Sequence, residues 1–598
     1  MATQPTQDAV PSESPRDLKF NAGKIDEFVT SMGWTYTDRF GVKHYTIEGL
    51  RWLAQQAIAQ YGYITLDSFE DGNTLTLPNQ VLRLEATGEY YRWDGAFPKT
   101  VPANSTPETT GGIGAGKWLS VGDATLRGDL ATGQQAALIG YEDGTVKSAL
   151  DELSADSAEL SAKTGFNAIG RFLNIAELRN ATPATADIIV YVASAASSSH
   201  AETHLGGGFF QSVDNVQAWP DDGGIVIKPA TGTLVWKRIN YDIPDMTFWG
   251  VKPDTDVDNA AAITAAMTYM KSKTGSIRFP AGEVLSSQPL PIWTECTIIG
   301  AGRNVSRFIK TTNNGYQVAP GVSVDALLVC LPNIYDPNGY TMDTFCMRPN
   351  VSGISLWRQN ATLINKAAYG IWGHKIAQGN FEDMLVAGAN IGFFGRNVFL
   401  MTQKQVSYSG VIGSYAGVYI ASGDSSGYNS AGTTCNFLQV GCGGYNFGFF
   451  LAGMSSTVLT QCDTEAIAKA AGETQAVAYK WINPMNCNMT ACYTEGVDGT
   501  VLDVANADHI SIANTLVVDS FNITPDAGFS SPQRLMRVDS VSAGTLEVTF
   551  IGGDVRYATV GTMNMLPPLV TGSNAKVRLI GTISNPWDVA GSGAVVSL

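Results

Sequence analysis

The sequence predicts a mainly β chain whose middle winds into a parallel β-helix, and three observations carry that prediction. Gly between bulky apolar residues recurs in Tyr369-Gly370-Ile371-Trp372, Ile391-Gly392-Phe393-Phe394, Ala416-Gly417-Val418-Tyr419 and Phe447-Gly448-Phe449-Phe450, at glycine spacings of 22, 25 and 31 residues. That is about one coil of a solenoid, with surplus residues going into loops on one side. A second ladder runs through Cys442, Cys462 and Cys492. Each follows a short strand-like tetrapeptide and each has a larger side chain three positions on, at Tyr445, Glu465 and Glu495. The last two copies nearly coincide, as Cys462-Asp463-Thr464-Glu465 and Cys492-Tyr493-Thr494-Glu495. Finally, only 15% of residues are charged while Gly accounts for 63 of 598, the composition of a turn-rich β protein.

Bulk properties narrow the partners. A chain this long divides into several domains. Its formal charge of −16 argues against a nucleic-acid groove or an anionic membrane surface and favours a neutral or weakly charged ligand such as a glycan. The eight cysteines lack the dense spacing of a disulfide scaffold and are read as reduced, small apolar residues stacked inside the solenoid. No His stands beside them to complete a zinc set, so no metal or cofactor is expected. A polar, Pro-containing N-terminus shows no secretory signal, and no window is long and apolar enough to span a bilayer. The expected route is therefore synthesis in a cytoplasm and arrival outside by other means.

Along the chain, residues 1–19 are expected to be flexible, and a first unit is expected over 20–125. It has a helix near Tyr45–Tyr61, strands at Thr74–Leu77, Gln80–Leu84 and Tyr90–Trp93, and a loop from Val101 to Gly116. Gly111 to Lys117 superficially matches a phosphate-binding loop, but Trp118 occupies the place of the Ser or Thr that would hold magnesium, so the loop reads as structural. Over 126–164, Val146, Leu150, Leu153 and Leu160 fall on one helix face, enough for a short neck joining three chains, while Gly128, Gly133 and Gly140 forbid a long coiled coil. A small β-rich module follows at 165–245, the β-helix at 246–532, and a C-terminal β domain at 533–598 with strands at Leu546–Ile551, Val555–Thr559 and Ala575–Ile580.

From Trp249 the succession Gly250-Val251-Lys252-Pro253-Asp254, an amphipathic Ala260–Met270 and Phe279-Pro280-Ala281-Gly282 is similar to the entry of pectate-lyase-like right-handed β-helices, where a helix caps the open end. Asn21 to Val29, Trp93-Asp94-Gly95, Gly116-Lys117-Trp118-Leu119, Leu126-Arg127-Gly128-Asp129-Leu130 and Gly140-Tyr141 resemble the attachment domains and necks of bacteriophage tailspikes. The resemblance implies a homotrimer on the virion tail, docked on the tail or an adaptor through its N-terminal domain, which binds and depolymerises a bacterial surface polysaccharide. It covers most of residues 20–300; beyond about 310 only the repeat supports it.

Most glycosidases use two carboxylates, one as acid and one as base or nucleophile. If the two Cys-x-Thr-Glu copies occupy successive coils, Glu465 and Glu495 are neighbours about 4.8 Å apart along the sheet, with Asp463 on the same strand face. The bland alternative, that these are solvated turn acids, stands beside this one. Glu382, Asp383 and Asp424 are the next candidates. Sugar rings stack on aromatics, and Trp357, Arg358, Tyr408, Tyr415, Tyr445, Trp481 and Tyr493 are candidate groove residues, whereas Trp372 is read as interior. A lyase would need a base, and the repeat region offers only His374, beside Lys375, and His509 as histidines. Endo-acting hydrolysis is therefore expected ahead of a non-catalytic receptor-binding spike, a lyase or a deacylating esterase.

Overall fold

The computed structural model describes residues 4–121, 140–141, 143–161, 170–195, 205–359, 368–421, 432–506, 513–524, 533–540, 544–555, 565–584 and 586–598. The chain forms two compact units, Met1–Glu159 and Leu160–Leu598.

In the first unit, residues 4–14 and the helix Pro15–Thr30 stand where a flexible start was expected. Asp17 is fully buried and accepts hydrogen bonds from Thr6 N and Ser12 Oγ, both at 2.6 Å, and from Arg39 Nη1 at 2.9 Å. This buried ion pair anchors the polar N-terminal stretch. The expected helix is Ile47–Tyr61, and strands Ile64–Ser68, Gln80–Arg83, Tyr90–Trp93 and Trp118–Ser120 form a four-stranded sheet over a core of Phe69, Leu75, Leu82 and Trp118. Trp118 is thus a core residue, which explains its place in the glycine-rich loop. Of the neck, the helix Val146–Ser161 is described; Leu126, Leu130, Gly128 and Gly133 lie outside the described residues.

The second unit opens with a five-stranded sheet of Arg171–Asn174, Ile189–Ser194, Gly206–Asp214, Val226–Ile227 and Leu234–Ile239. The helix Ala260–Lys273 follows, burying Ile263, Ala266, Met267 and Met270 against the first coils. Asn259 precedes it without capping it. Its buried amide instead accepts from Lys252 N at 2.7 Å and donates to the carbonyls of Val257 and Leu285, tying the acidic turn to a β strand.

Between Gly275 and Ser597 the described residues form one parallel β-helix, with three long sheets and a short strand ladder at one corner. Sheet I stacks Gly275–Arg278 on Cys296–Ile299 and continues through Asn436–Leu438, Val458–Thr460 and Cys487–Thr490. Sheet II runs from Gly282–Ser286 through Ser306–Lys310 to Asp463–Ile467 and Tyr493–Val497. Sheet III runs from Leu290–Trp293 through Ala326–Leu331, Tyr369–Ala377 and Ile391–Phe399 to Val477–Ile482 and Thr500–Asn506. The repeated glycines are in register. Tyr369 pairs with Ile391, Ile391 with Ala416 and Ala416 with Phe447, which places Gly370, Gly392, Gly417 and Gly448 in one column. A Cβ on Gly392 would lie 2.5 Å from the Gly417 carbonyl oxygen, so the column is where neighbouring coils approach too closely for a side chain. Beside it, Ile371, Phe393, Val418, Phe449 and Tyr479 fill the interior rung by rung.

Two expectations are corrected. Residues 533–598 are not a separate β domain: Leu546–Ile551 and Ala575–Ile580 are strands as read, but they pair in parallel with each other and with Asn514–Asp519, so among the described residues the solenoid simply continues. Cys442 is also out of step with the other two thiols. It pairs with Thr464 on sheet II, while Cys462 and Cys492 share a corner two positions earlier, where Tyr493 N donates to the Cys462 carbonyl. All eight cysteines are free and buried.

Candidate functional site

Sheet II presents two outward columns. One runs Leu385, Ser407, Gly441, Asp463, Tyr493; the other runs Trp357, Ala387, Ser409, Gly443, Glu465, Glu495. Between them, inward residues Val386, Tyr408, Cys442, Thr464 and Thr494 anchor the sheet, the two threonine hydroxyls hydrogen-bonding at 2.7 Å in the core. Small residues on the two coils above the acids, Ser407, Ser409, Gly441 and Gly443, leave a shallow floor. Beneath it Glu465 and Glu495 stand in register on adjacent coils, both exposed. Four coil spacings of about 4.8 Å put Trp357 roughly 19 Å from Glu465, room for several sugar rings.

Asp463 is the carboxyl with altered acidity here. Partial burial, then the charge of Glu465 two residues along the same strand face, raises its pKa above the usual carboxylate value. Gly441 leaves the space above it, since a Cβ there would lie 2.9 Å from Asp463 Oδ1. Tyr493 pairs with Asp463 across the coil and donates from its hydroxyl to Glu495 Oε2 at 2.7 Å. At the far end, Arg307 lies 4.9 Å from the Trp357 ring centre, and the Trp357 Nε1–H has no partner among the described residues. The face therefore offers three carboxyls, one of them predisposed to hold a proton, a phenol that fixes a second, and an indole ring at its far end.

The other candidates separate from this face. Glu382 is paired with Lys404 at 2.6 Å and Asp383 with Arg303 at 3.4 Å, so both are neutralised by cations rather than facing another carboxyl. Tyr408, Tyr445 and Trp481 are at most 2% exposed and belong to the solenoid core, a correction with a simple cause: aromatic rings are the largest fillers available to a coil interior. Arg358 is buried too. Its guanidinium takes both oxygens of Asp325 at 3.0 and 3.1 Å, and Lys310 joins the same carboxylate at 2.5 Å, so it serves structure. Tyr415 is half-buried on the outer face of sheet III, 5.4 Å from the Phe447 ring. Trp372, read as interior, is buried but lies on that outer face beneath Tyr335. Desolvation and the nearby Arg396 and Lys375 push the His374 pKa down to about 4, while His509 and Asp424 lie outside the described residues. Sequence reasoning missed the floor. Its signal is the alternation Ser407-x-Ser409 and Gly441-x-Gly443, small residues at the two-residue period of one strand face.

Residues 56–123 match the family described as the tail spike TSP1/Gp66 receptor binding N-terminal domain, and residues 171–241 match the phage tail protein small four-stranded beta-sheet domain. A curated protein of Klebsiella phage P510, a capsule KL64-specific depolymerase, is 36% identical over 115 residues; the match covers 19% of this chain and only 11% of that relative. Among solved structures, the gp42 tailspike of Acinetobacter phage vb_AbaP_AS12 is similar with a TM-score of 0.55 at 17% identity, over 72% of this chain and 74% of that one. The enzymatically active domain of tailspike protein 2 of bacteriophage CBA120 gives a TM-score of 0.49 at 13% identity, over 71% and 60% of the two chains. The gp42 tailspike shares the β-helix fold, and the two family matches identify phage-tail modules at residues 56–123 and 171–241 of this chain.

Proposed function

We propose that the chain recognises a bacterial surface polysaccharide and cleaves it by endo-glycosidic hydrolysis during adsorption, on the outer face of sheet II. The observation that carries this reading is the in-register pair Glu465 and Glu495, with Asp463 beside them and a floor of Ser and Gly above. Asp463, its pKa raised by burial and by Glu465, is the proton donor to the leaving oxygen. Glu465 acts as base or nucleophile, and Glu495, held by Tyr493, stabilises positive charge developing at the sugar carbon. Trp357 stacks on a ring farther along the chain. By the same reading the protein is a homotrimer that docks on the tail or an adaptor through its N-terminal domain.

The test is to incubate the protein with purified capsular and O-antigen polysaccharides, following reducing ends and the ultraviolet absorbance of an unsaturated uronate. New reducing ends without a chromophore are expected. A chromophore would mean elimination, and neither signal would mean binding or deacylation alone. Glu465→Gln and Glu495→Gln should each lower cleavage by about a hundredfold or more with the melting temperature unchanged; full activity in both would remove the site.

A further inference from the structure

A cavity of about 410 Å³ opens on the outer face of sheet III, with Asp325, Tyr335, Tyr369, Trp372, His374 and Phe394 in its walls. The rings form a contiguous set. Tyr335 lies 6.2 Å from Trp372 and 5.8 Å from His374, Trp372 and His374 are 5.7 Å apart, and Tyr369 is 5.0 Å from Phe394. Polar groups accompany them. Arg396 Nη1 donates to His374 Nε2 at 3.3 Å, which leaves the neutral imidazole with its proton on Nδ1 as a donor. Asp325 is fixed by Lys310 and Arg358. The hydroxyls of Tyr335 and Tyr369 stay protonated, burial raising the pKa of both.

We infer that this pocket is a second carbohydrate site, which holds one pyranose unit of the polysaccharide without cleaving it. A sugar ring is flat and apolar on its C–H faces and carries donors and acceptors at its edge, and the pocket supplies aromatic surface together with both kinds of hydrogen-bonding group. The paired glutamates face out from sheet II and the pocket from sheet III, so the site is distinct from the acid face. Its use would be retention: a polymer cut at one face stays held at another. The inference rests on the proposed polysaccharide function.

The experiment measures retention of the full-length Glu465→Gln/Glu495→Gln protein on immobilised capsular and O-antigen polysaccharides. Adding Tyr335→Ala should weaken retention about fivefold, and Tyr335→Phe should restore it, because a ring and not a hydroxyl makes the stack. His374→Leu, which keeps the bulk of the wall and removes its N–H, is the second variant and should also weaken retention. Parent-like retention in both Tyr335→Ala and His374→Leu overturns the pocket, as does a Tyr335→Phe loss equal to that of Tyr335→Ala. If the parent binds no polysaccharide at all, the polysaccharide reading itself falls, and the pocket with it.

Discussion

At the scale of the residue, the two outcomes for acidic side chains differ by what stands beside them. Asp325, Glu382 and Asp383 each meet a cation, whereas Asp463 meets Glu465 and a partly desolvated environment. A carboxyl whose folded pKa is raised binds its proton more tightly when folded. Its contribution to stability is therefore complete below the unfolded carboxylate range and is lost as pH rises through the folded value. Asp463→Asn should accordingly raise the melting temperature at pH 7, with the gain shrinking to nothing below about pH 3.5, while abolishing cleavage. A melting temperature that falls at pH 7 would contradict the assigned environment. The sequence shows Asp463 and its neighbours clearly, because the Cys-x-Thr-Glu copies are local. It does not distinguish Arg358 from an exposed sugar-binding arginine, because the carboxylate that claims it comes from Asp325, 33 residues away.

At the scale of the element, the coil is set by where side chains are forbidden. The glycine column is legible because the same residue recurs at each coil, and its cause is steric: a Cβ on Gly392 would lie 2.5 Å from both the Gly417 carbonyl oxygen and the Tyr408 ring. Gly392→Ala should thus destabilise the protein by about 1–3 kcal/mol, read as a fall in denaturation midpoint with the slope unchanged. An unchanged midpoint would mean that the coils slide apart freely. The aromatics are less legible. Tyr408, Tyr445 and Trp481 carry the composition of a sugar groove but fall on inward positions, and a shift of one residue reverses the face of every side chain in a strand. Cys442 misled in the same way, since the motif around it resembles those at Cys462 and Cys492 while its register is displaced.

At the scale of the whole molecule, a solenoid turns sequence separation into proximity. Glu465 and Glu495 are 30 positions apart and meet on adjacent coils; the repeat length between the two copies is what the sequence discloses. The C-terminal segment shows the limit of that reading. Alternating strands look alike whether they pair with a hairpin partner or with the coil before, and only the observed register, Leu546 to Ala575 for example, places them in the helix. The central claim is that the outer face of sheet II is where the polysaccharide is cut. A crystal structure of the Glu465→Gln variant with an oligosaccharide released by the active protein tests it most directly. Sugar rings lying over Ser407, Ser409, Gly441 and Gly443, with a glycosidic oxygen within hydrogen-bond reach of Asp463, are the predicted result. An oligosaccharide bound only on other faces, with this floor empty, would contradict it.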